Sequence, residues 1–519
     1  MSAAPYRPPP PLEGLKLVVS TIALSAATFM NVLDTSIANV SIPAISGDLG
    51  VAPNQGTWVI TSFAVATGIS LPLTGWLTQR FGAVKLFTLS VMLFVLMSWL
   101  CGVAPSIELL IVFRILQGVV AGPMIPLSQS LLLASYRKEA AGFALAMWSI
   151  TTLVAPIIGP LLGGWITDNI NWQWIFYINV PVGIVAAGAT WLLYRDRETP
   201  TVRRPVDVIG LALLIVWVGC FQIVLDKGKE LDWFQAWETW ALTITAIIAF
   251  CFFLVWELTD DHPIVDLQLL RRRNFWVATL TVALGYSVFF GNLVILPLWL
   301  QQNMGYTATL AGVATAPVGI LAILISPWVG KNIGHSDARL FATVGFVIFA
   351  FVMWMRSGLN TDADFHAILV PTVLQGAAMA FFFVPLMNLA LSGLPPEKIP
   401  SASGLFNFLR ITAGAFGASV ATTMWDNRAA FHRAFLSESI DHTNASLAAS
   451  MDVLREQGWS GTARLAEVEV MLRQQAYMLA ANDVFYSGAL LFMFLFLVVW
   501  LARPANVRAT AAVDAGGAH

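Results

Sequence analysis

Asp34 stands inside the apolar run VVSTIALSAATFMNVLDTSIANV and is the sole carboxylate set deep within such a run of this chain. A charge surrounded by hydrocarbon is costly, so Asp34 is expected to face a cavity or a partner. Two guanidiniums, Arg114 and Arg410, also fall inside apolar runs. Asp34 lies about 8 residues before the end of its run and Arg114 about 7 after the start of its own. With a helical rise of about 1.5 Å per residue, both sit roughly 10–12 Å below the same surface and can pair. A neighbouring guanidinium favours the charged carboxylate, and loss of water favours the neutral acid. A movement that alters either therefore loads or releases a proton. Proton exchange coupled to motion is the chemistry this pair suggests; a permanent lock between two helices is the alternative.

Further polar side chains recur in mid-run: Asn31, Gln117, Gln129, Asn292, Asn388 and Asn407. With the aromatics Trp148, Tyr286, Phe289, Phe290 and Phe382 they are candidates for lining a substrate cavity, although most aromatics in such runs face lipid or neighbouring helices. Arg410 joins them, or else binds backbone carbonyls or extends toward the cytoplasmic side. The stretch Ala155-Pro156-Ile-Ile-Gly159-Pro160-Leu-Leu-Gly163-Gly164 combines glycines four apart, which allow close helix approach, with prolines that remove helix hydrogen bonds. No Gly-x-x-x-x-Gly-Lys-[Ser/Thr] loop occurs, so ATP hydrolysis is not expected. The six histidines are scattered, without metal-ligand spacing. No cofactor is expected, and an enzyme embedded in the membrane would need a catalytic cluster that is missing here.

These residues must be carried by membrane-spanning helices. Of 519 residues, 57% are hydrophobic and 11% charged, against roughly 45–50% and 25% in soluble domains. Apolar runs fall at about 17–42, 57–78, 86–104, 107–135, 140–166, 174–194, 208–225, 236–257, 275–301, 309–330, 339–358, 366–392, 402–424 and 484–502. Each is long enough to span, and in lipid only a helix satisfies its own backbone. The N-terminal stretch MSAAPYRPPPPLEGLK lacks the marks of a signal peptide. Lys and Arg concentrate on one side of the alternating loops, which predicts cytoplasmic termini, while Lys227, Lys229 and Arg356 are assigned to the opposite loops. Cys101, Cys220 and Cys251 read as buried packing residues.

The chain repeats itself. Trp76-Leu-Thr-Gln-Arg-Phe-Gly82 recurs as Trp328-Val-Gly-Lys-Asn-Ile-Gly334, offset by 252, and Leu116-Gln117-Gly118 recurs as Leu374-Gln375-Gly376, offset by 258. The expected architecture is an all-α polytopic membrane protein with a cytoplasmic tail (1–16), a six-helix bundle (17–194), a linker with two inserted helices (195–273), a second six-helix bundle (274–502) and a cytoplasmic tail (503–519). Such duplication places a substrate cavity between the halves, near mid-membrane. Residues 426–483 form a polar outer loop with amphipathic helices, lying on the surface or docking a partner.

LDTSIANVSIP (Leu33 to Pro43), GWLTQRFGAVKLF (Gly75 to Phe87), FRILQGVVAGPMIPLSQSLLL (Phe113 to Leu133), APIIGPLLGG and WIFYINVPVG (Trp174 to Gly183) together resemble the major facilitator superfamily. The resemblance is to its fourteen-span drug:proton antiporters, most closely the EmrB-type multidrug exporters. It implies that Asp34 is the acidic site of span 1 and Arg114 the proton-coupling arginine of span 4. It implies an antiporter motif at Pro156, Gly159, Pro160, Gly163 and Gly164, and a gating loop at Gly75, Arg80, Gly82 and Lys85. Gln79 stands where that loop usually has an Asp. A bacterial inner-membrane location, an EmrA-type periplasmic adaptor and a TolC-type outer-membrane channel are likewise implied. The function expected is export of hydrophobic drugs in exchange for protons. A narrow exporter of one metabolite or fatty acid is the alternative within transport, and a non-transporting receptor or scaffold the alternative outside it.

Overall fold

The computed structural model describes residues 10–202, 207–229, 231–260, 263–334, 336–438, 445–456 and 458–504. Among the described residues the chain is helical and contains no strand. The apolar runs fold as α1 (Gly14–Asp48), α2 (Trp58–Ser70 and Thr74–Phe81), α3 (Ala83–Gly102), α4 (Ile107–Ser135), α5 (Ala141–Asn169), α6 (Trp174–Tyr194), α7 (Val208–Lys227), α8 (Trp237–Thr259), α9 (Arg273–Asn303), α10 (Leu310–Asn332), α11 (Ala338–Arg356), α12 (Phe365–Leu391), α13 (Ile399–Glu438) and α14 (Gly461–Val498). Among the described residues, eleven helices are long and apolar enough to cross a membrane, or thirteen when the bent α2 and α5 each count as one span. The remaining segment, α13, is diluted by Ser, Thr, Gly and Asn between Ala402 and Thr423. Polar caps start several spans: Ser106, Asp207, Asp337 and Asp364 each accept a backbone N–H of the first turn.

The helices gather into two bundles, α1–α6 and α9–α14. Burial separates centre from rim: 67% of the apolar window of α12 is buried, against 28% for α7 and 22% for α8. The inserted pair therefore lies at the periphery, where α7 packs on both α2 and α13. Cys251 on α8 is exposed and Cys220 half-buried; only Cys101 is the buried packing residue the sequence suggested for all three. The outer faces of α7 and α8 carry Ile, Val and Phe because their solvent is lipid.

Both bundles meet at the face where α1 begins and α14 ends, here called the terminal face. On α5 and α10, Gly142 and Gly330 oppose each other so closely that a Cβ on Gly330 would sit 2.5 Å from the Gly142 carbonyl oxygen. Gly75 of α2 abuts Ser401 of α13, and Gly404 abuts the Leu71 carbonyl. Ser403 donates to Gln129 Oε1, and Asn407 Nδ2 reaches the same oxygen at 3.4 Å. Gln129 and Asn407, expected in the cavity, thus belong to this seam.

At the opposite face α13 and α14 run on past the bilayer. They contain 40 and 38 residues, about 60 Å at 1.5 Å per residue, whereas hydrocarbon is about 30 Å thick. The region expected as an outer loop (426–483) is thus largely a continuation of two spanning helices, joined through the short helix Ala445–Glu456. Arg428 and His432 both hold Asp483, at 2.6 and 2.7 Å, and Arg433 holds Glu469 at 2.6 Å.

The glycine seam makes a prediction. Gly142→Leu forces apart the backbones of α5 and α10, so spin labels at Arg137 and Lys331 should show a longer distance distribution than in wild type. An unchanged distribution would contradict the tight seam.

Candidate functional site

α1, α4 and α6 converge on a buried polar cluster in the first bundle. Arg114 Nη1 donates to Asp34 Oδ2 at 2.6 Å, and both side chains are fully buried. Asn179 Nδ2 donates to Asp34 Oδ1 at 2.8 Å, and Gln117 Nε2 approaches the same oxygen at 3.3 Å. Arg114 is itself fixed: Nη1 also donates to Gln117 Oε1 at 2.8 Å and Nε to the Val59 carbonyl at 3.0 Å. Its guanidinium lies over the Phe63 ring at 4.1 Å, a favourable place for a desolvated cation. One arm remains over, since Nη2 has no hydrogen-bond partner.

The cluster is built by helix geometry. Arg114 and Gln117 are three residues apart on α4 and so share a face. Asn179 opens the second part of α6 and is tied to Ser98 of α3 at 3.0 Å. Sequence reading missed Asn179, although it stands within the quoted WIFYINVPVG stretch; an amide near the end of an apolar run reads as interfacial. Asn31, one turn before Asp34, donates instead to the Ala121 carbonyl at 2.9 Å, where Gly122 and Pro123 interrupt α4.

A cleft of about 520 Å³, counting its share open to solvent, lies chiefly in the second bundle. Tyr286, Phe289, Asn292 and Arg410 are on its walls, and so is Pro156. Arg356 is there too, although its place at the end of a run had assigned it to an outer loop. It is 1% exposed, because α11 ends against α12, and its Nη2 donates to Thr372 Oγ1 at 3.0 Å. Several expected cavity residues lie elsewhere. Phe382 is packed among Phe346, Phe349 and Phe383. Trp148 donates to Ser128 Oγ at 3.0 Å inside the first bundle. Phe290 stacks beside Tyr286, and Asn388 is half-buried away from the cleft wall.

The α1–α5 contact joins the two places. Pro156 faces the cleft, and the preceding Ala155 carbonyl accepts from Ser36 Oγ at 3.3 Å, two residues from Asp34. Gly159 abuts Ser36 and Gly163 abuts the Ile37 carbonyl, so the small residues let α5 press on the turn that bears the acid. Gly164 reaches Val40 at ordinary contact distance, and Pro160 is exposed. α5 bends by 42° between Pro156 and Ile158, where the prolines leave carbonyls without donors.

At the loop after α2, Arg80 lies over the Trp76 and Phe81 rings, and Gly82 takes a φ of 87°. Its missing side chain leaves room for Glu198, which accepts from the backbone N–H groups of Val84 and Lys85 at 3.0 and 2.9 Å. A carboxylate from the linker after α6 thus sits on the N-terminus of α3, where the helix dipole favours a negative charge. Gln79, in the position where an Asp is usual, contributes its carbonyl to Val202 N–H at 2.8 Å.

The comparisons agree with this architecture. The Major Facilitator Superfamily profile matches residues 24–418. The multidrug export protein EmrB of Escherichia coli strain K12 is 49% identical over 510 residues, covering 98% of this chain and 99% of that protein. The fatty acid resistance protein FarB of Neisseria gonorrhoeae is 48% identical over 495 residues, covering 95% and 98%. In fold, the crystal structure of the human organic anion transporter MFSD10 (TETRAN) matches with a TM-score of 0.60 at 13% identity, covering 94% of this chain and 100% of that one. With a full-length relative near half identity and a family match over most of its spans, this chain belongs to the major facilitator superfamily as an EmrB-type multidrug transporter.

Proposed function

We propose that the chain exports hydrophobic compounds in exchange for protons, by alternating exposure of the cleft that its second bundle forms beside α5. The observation that carries this reading is the buried Asp34–Arg114 pair, coupled through Ser36 and Ala155 to the cleft wall at Pro156. In the closed cluster Asp34 accepts from Arg114, Asn179 and Gln117, three donors carried on helices other than its own. A shift of α1 against α4 that withdraws these donors favours uptake of a proton, and the return of Arg114 expels it. No chemical step and no cofactor is needed, because the gradient supplies the free energy.

On this reading the terminal face is cytoplasmic and the membrane is the bacterial inner membrane. The seam is then the inner gate. It is built from backbone contact and a few neutral hydrogen bonds, each worth only about 0.5–1.5 kcal/mol net, so it can open and close. The name of the Neisseria gonorrhoeae relative, a fatty acid resistance protein, points to hydrophobic substrates, and that of the Escherichia coli relative, a multidrug export protein, to more than one. The α13–α14 projection, with Phe431 and Phe435 exposed, is the natural contact for a periplasmic adaptor of the EmrA type feeding a TolC-type channel.

Three outcomes test the reading. In proteoliposomes an imposed pH gradient should accelerate dye efflux by wild-type protein, and Asp34→Asn should abolish the response while Asp34→Glu keeps part of it. Removing one member of a buried ion pair costs about 3–5 kcal/mol, so intact insertion of the Asn variant is checked by size-exclusion chromatography. Gradient-driven efflux retained by Asp34→Asn would overturn the coupling role. Asn179→Ala removes a donor to the carboxylate, worth about 1.5–3 kcal/mol for a charged acceptor. Gradient-driven efflux by this variant should therefore fall about tenfold or more while insertion is unchanged; efflux at the wild-type rate would detach Asn179 from the proton step. Finally, the Phe431→Glu, Phe435→Glu double variant should lose adaptor co-purification and keep proteoliposome transport. Adaptor binding at wild-type level would remove the projection from the docking surface.

A further inference from the structure

We propose that the cleft of the second bundle binds the anionic head of a hydrophobic ligand, clamped by Arg356 and Arg410. This rests on the reading of the chain as an exporter of hydrophobic compounds and adds the charge its preferred substrates carry.

Both guanidiniums are buried, at 1% and 4% exposure, and both line the same cleft. Arg356 spends one nitrogen on Thr372, while its Nε and Nη1 have no partner. Arg410 makes no hydrogen bond or ion pair among the described residues; it is held over the Tyr286 ring at 5.1 Å and the Phe383 ring at 5.6 Å, and its Nε has no partner. No carboxylate is found among the described residues of the cleft wall. Arginine does not lose its proton to escape burial, and an unpaired buried charge is expensive. Two such charges around one cleft leave an opening for a counter-charge that the protein does not supply.

The internal repeat sharpens the contrast. The offset of 258 carries Arg114 to Thr372 and Gln117 to Gln375, and the offsets of 252 and 258 carry Asp34 to Tyr286 and Asn292. The equivalent positions of the second bundle are therefore polar and uncharged, with neither the acid nor the arginine of the first, and its guanidiniums come from Arg356 and Arg410 instead. In the first bundle Asp34 compensates Arg114; in the second the ligand takes the place of the acid. A carboxylate fits the forked donors of arginine, and Asn292 and Gln375 are within the same wall. Beside them Phe289, Leu293, Leu296, Val318 and Met379 form an apolar surface for a hydrocarbon body.

Equilibrium binding to the full-length protein in nanodiscs of uncharged lipid, without any gradient, tests this by calorimetry with three probes of equal chain length: decanoate, decanol and decyltrimethylammonium. Decanoate should bind at least about tenfold more tightly than decyltrimethylammonium. Arg356→Gln and Arg410→Gln should each reduce the preference for decanoate over decanol by about tenfold, and the Lys variants should restore part of it. Equal binding of anion and cation by wild-type protein would overturn the proposal, and that comparison needs no variant to fold. So would Gln variants that leave the decanoate preference within about twofold. Anion-selective binding combined with gradient-independent transport would sink the proton-exchange reading and leave the site standing; the converse would sink the site alone.

Discussion

A fully buried carboxylate and guanidinium held 2.6 Å apart set the terms for the rest of this molecule. Hydrocarbon does not tolerate either charge alone, so the fold must bring α1 and α4 together at one depth and surround the pair with donors. Gln117 and Asn179 complete the acceptor shell of Asp34, and the Val59 carbonyl with the Phe63 ring steadies Arg114. The pair tolerates no half-measures. Any displacement that breaks it leaves a charge to be neutralised, and the neutralisation available to the acid is a proton.

The first bundle is therefore self-compensating, and the second is not. Arg356 and Arg410 face a shared cleft without an acid, so the two halves of one duplicated architecture divide the electrostatic work. One holds a compensated ion pair and the other two guanidiniums with unpartnered nitrogens. The small residues of α5 are the mechanical link, since Gly159 and Gly163 let this helix rest on the Asp34 turn while Pro156 faces the cleft.

Much of this was legible in the sequence because membrane burial makes charges conspicuous. Asp34 and Arg114 stand out in the sequence as isolated charges at equal depth, and the apolar runs mark their helices. Arg356 was misplaced for the same reason: a charge at the end of a run resembles an interfacial anchor, and only the packing of α11 against α12 buries it. Gln129 and Asn407 looked like cavity residues, but the approach of α4 and α13 makes them part of a seam. Glu198 escaped notice because it lies in a linker, and its meaning arises from the positive φ of Gly82 far away in sequence. Tertiary proximity, not residue type, decided each of these.

The central claim is that Asp34 changes protonation as the transporter changes shape, and infrared difference spectroscopy on the reconstituted protein observes this directly. Trapping the terminal face closed or open by a cross-link across the seam, and subtracting the spectra, should reveal a protonated-carboxyl stretch in one state that is missing in Asp34→Asn. Identical carboxyl bands in the two trapped states would show that the pair is a fixed strut and not a proton site.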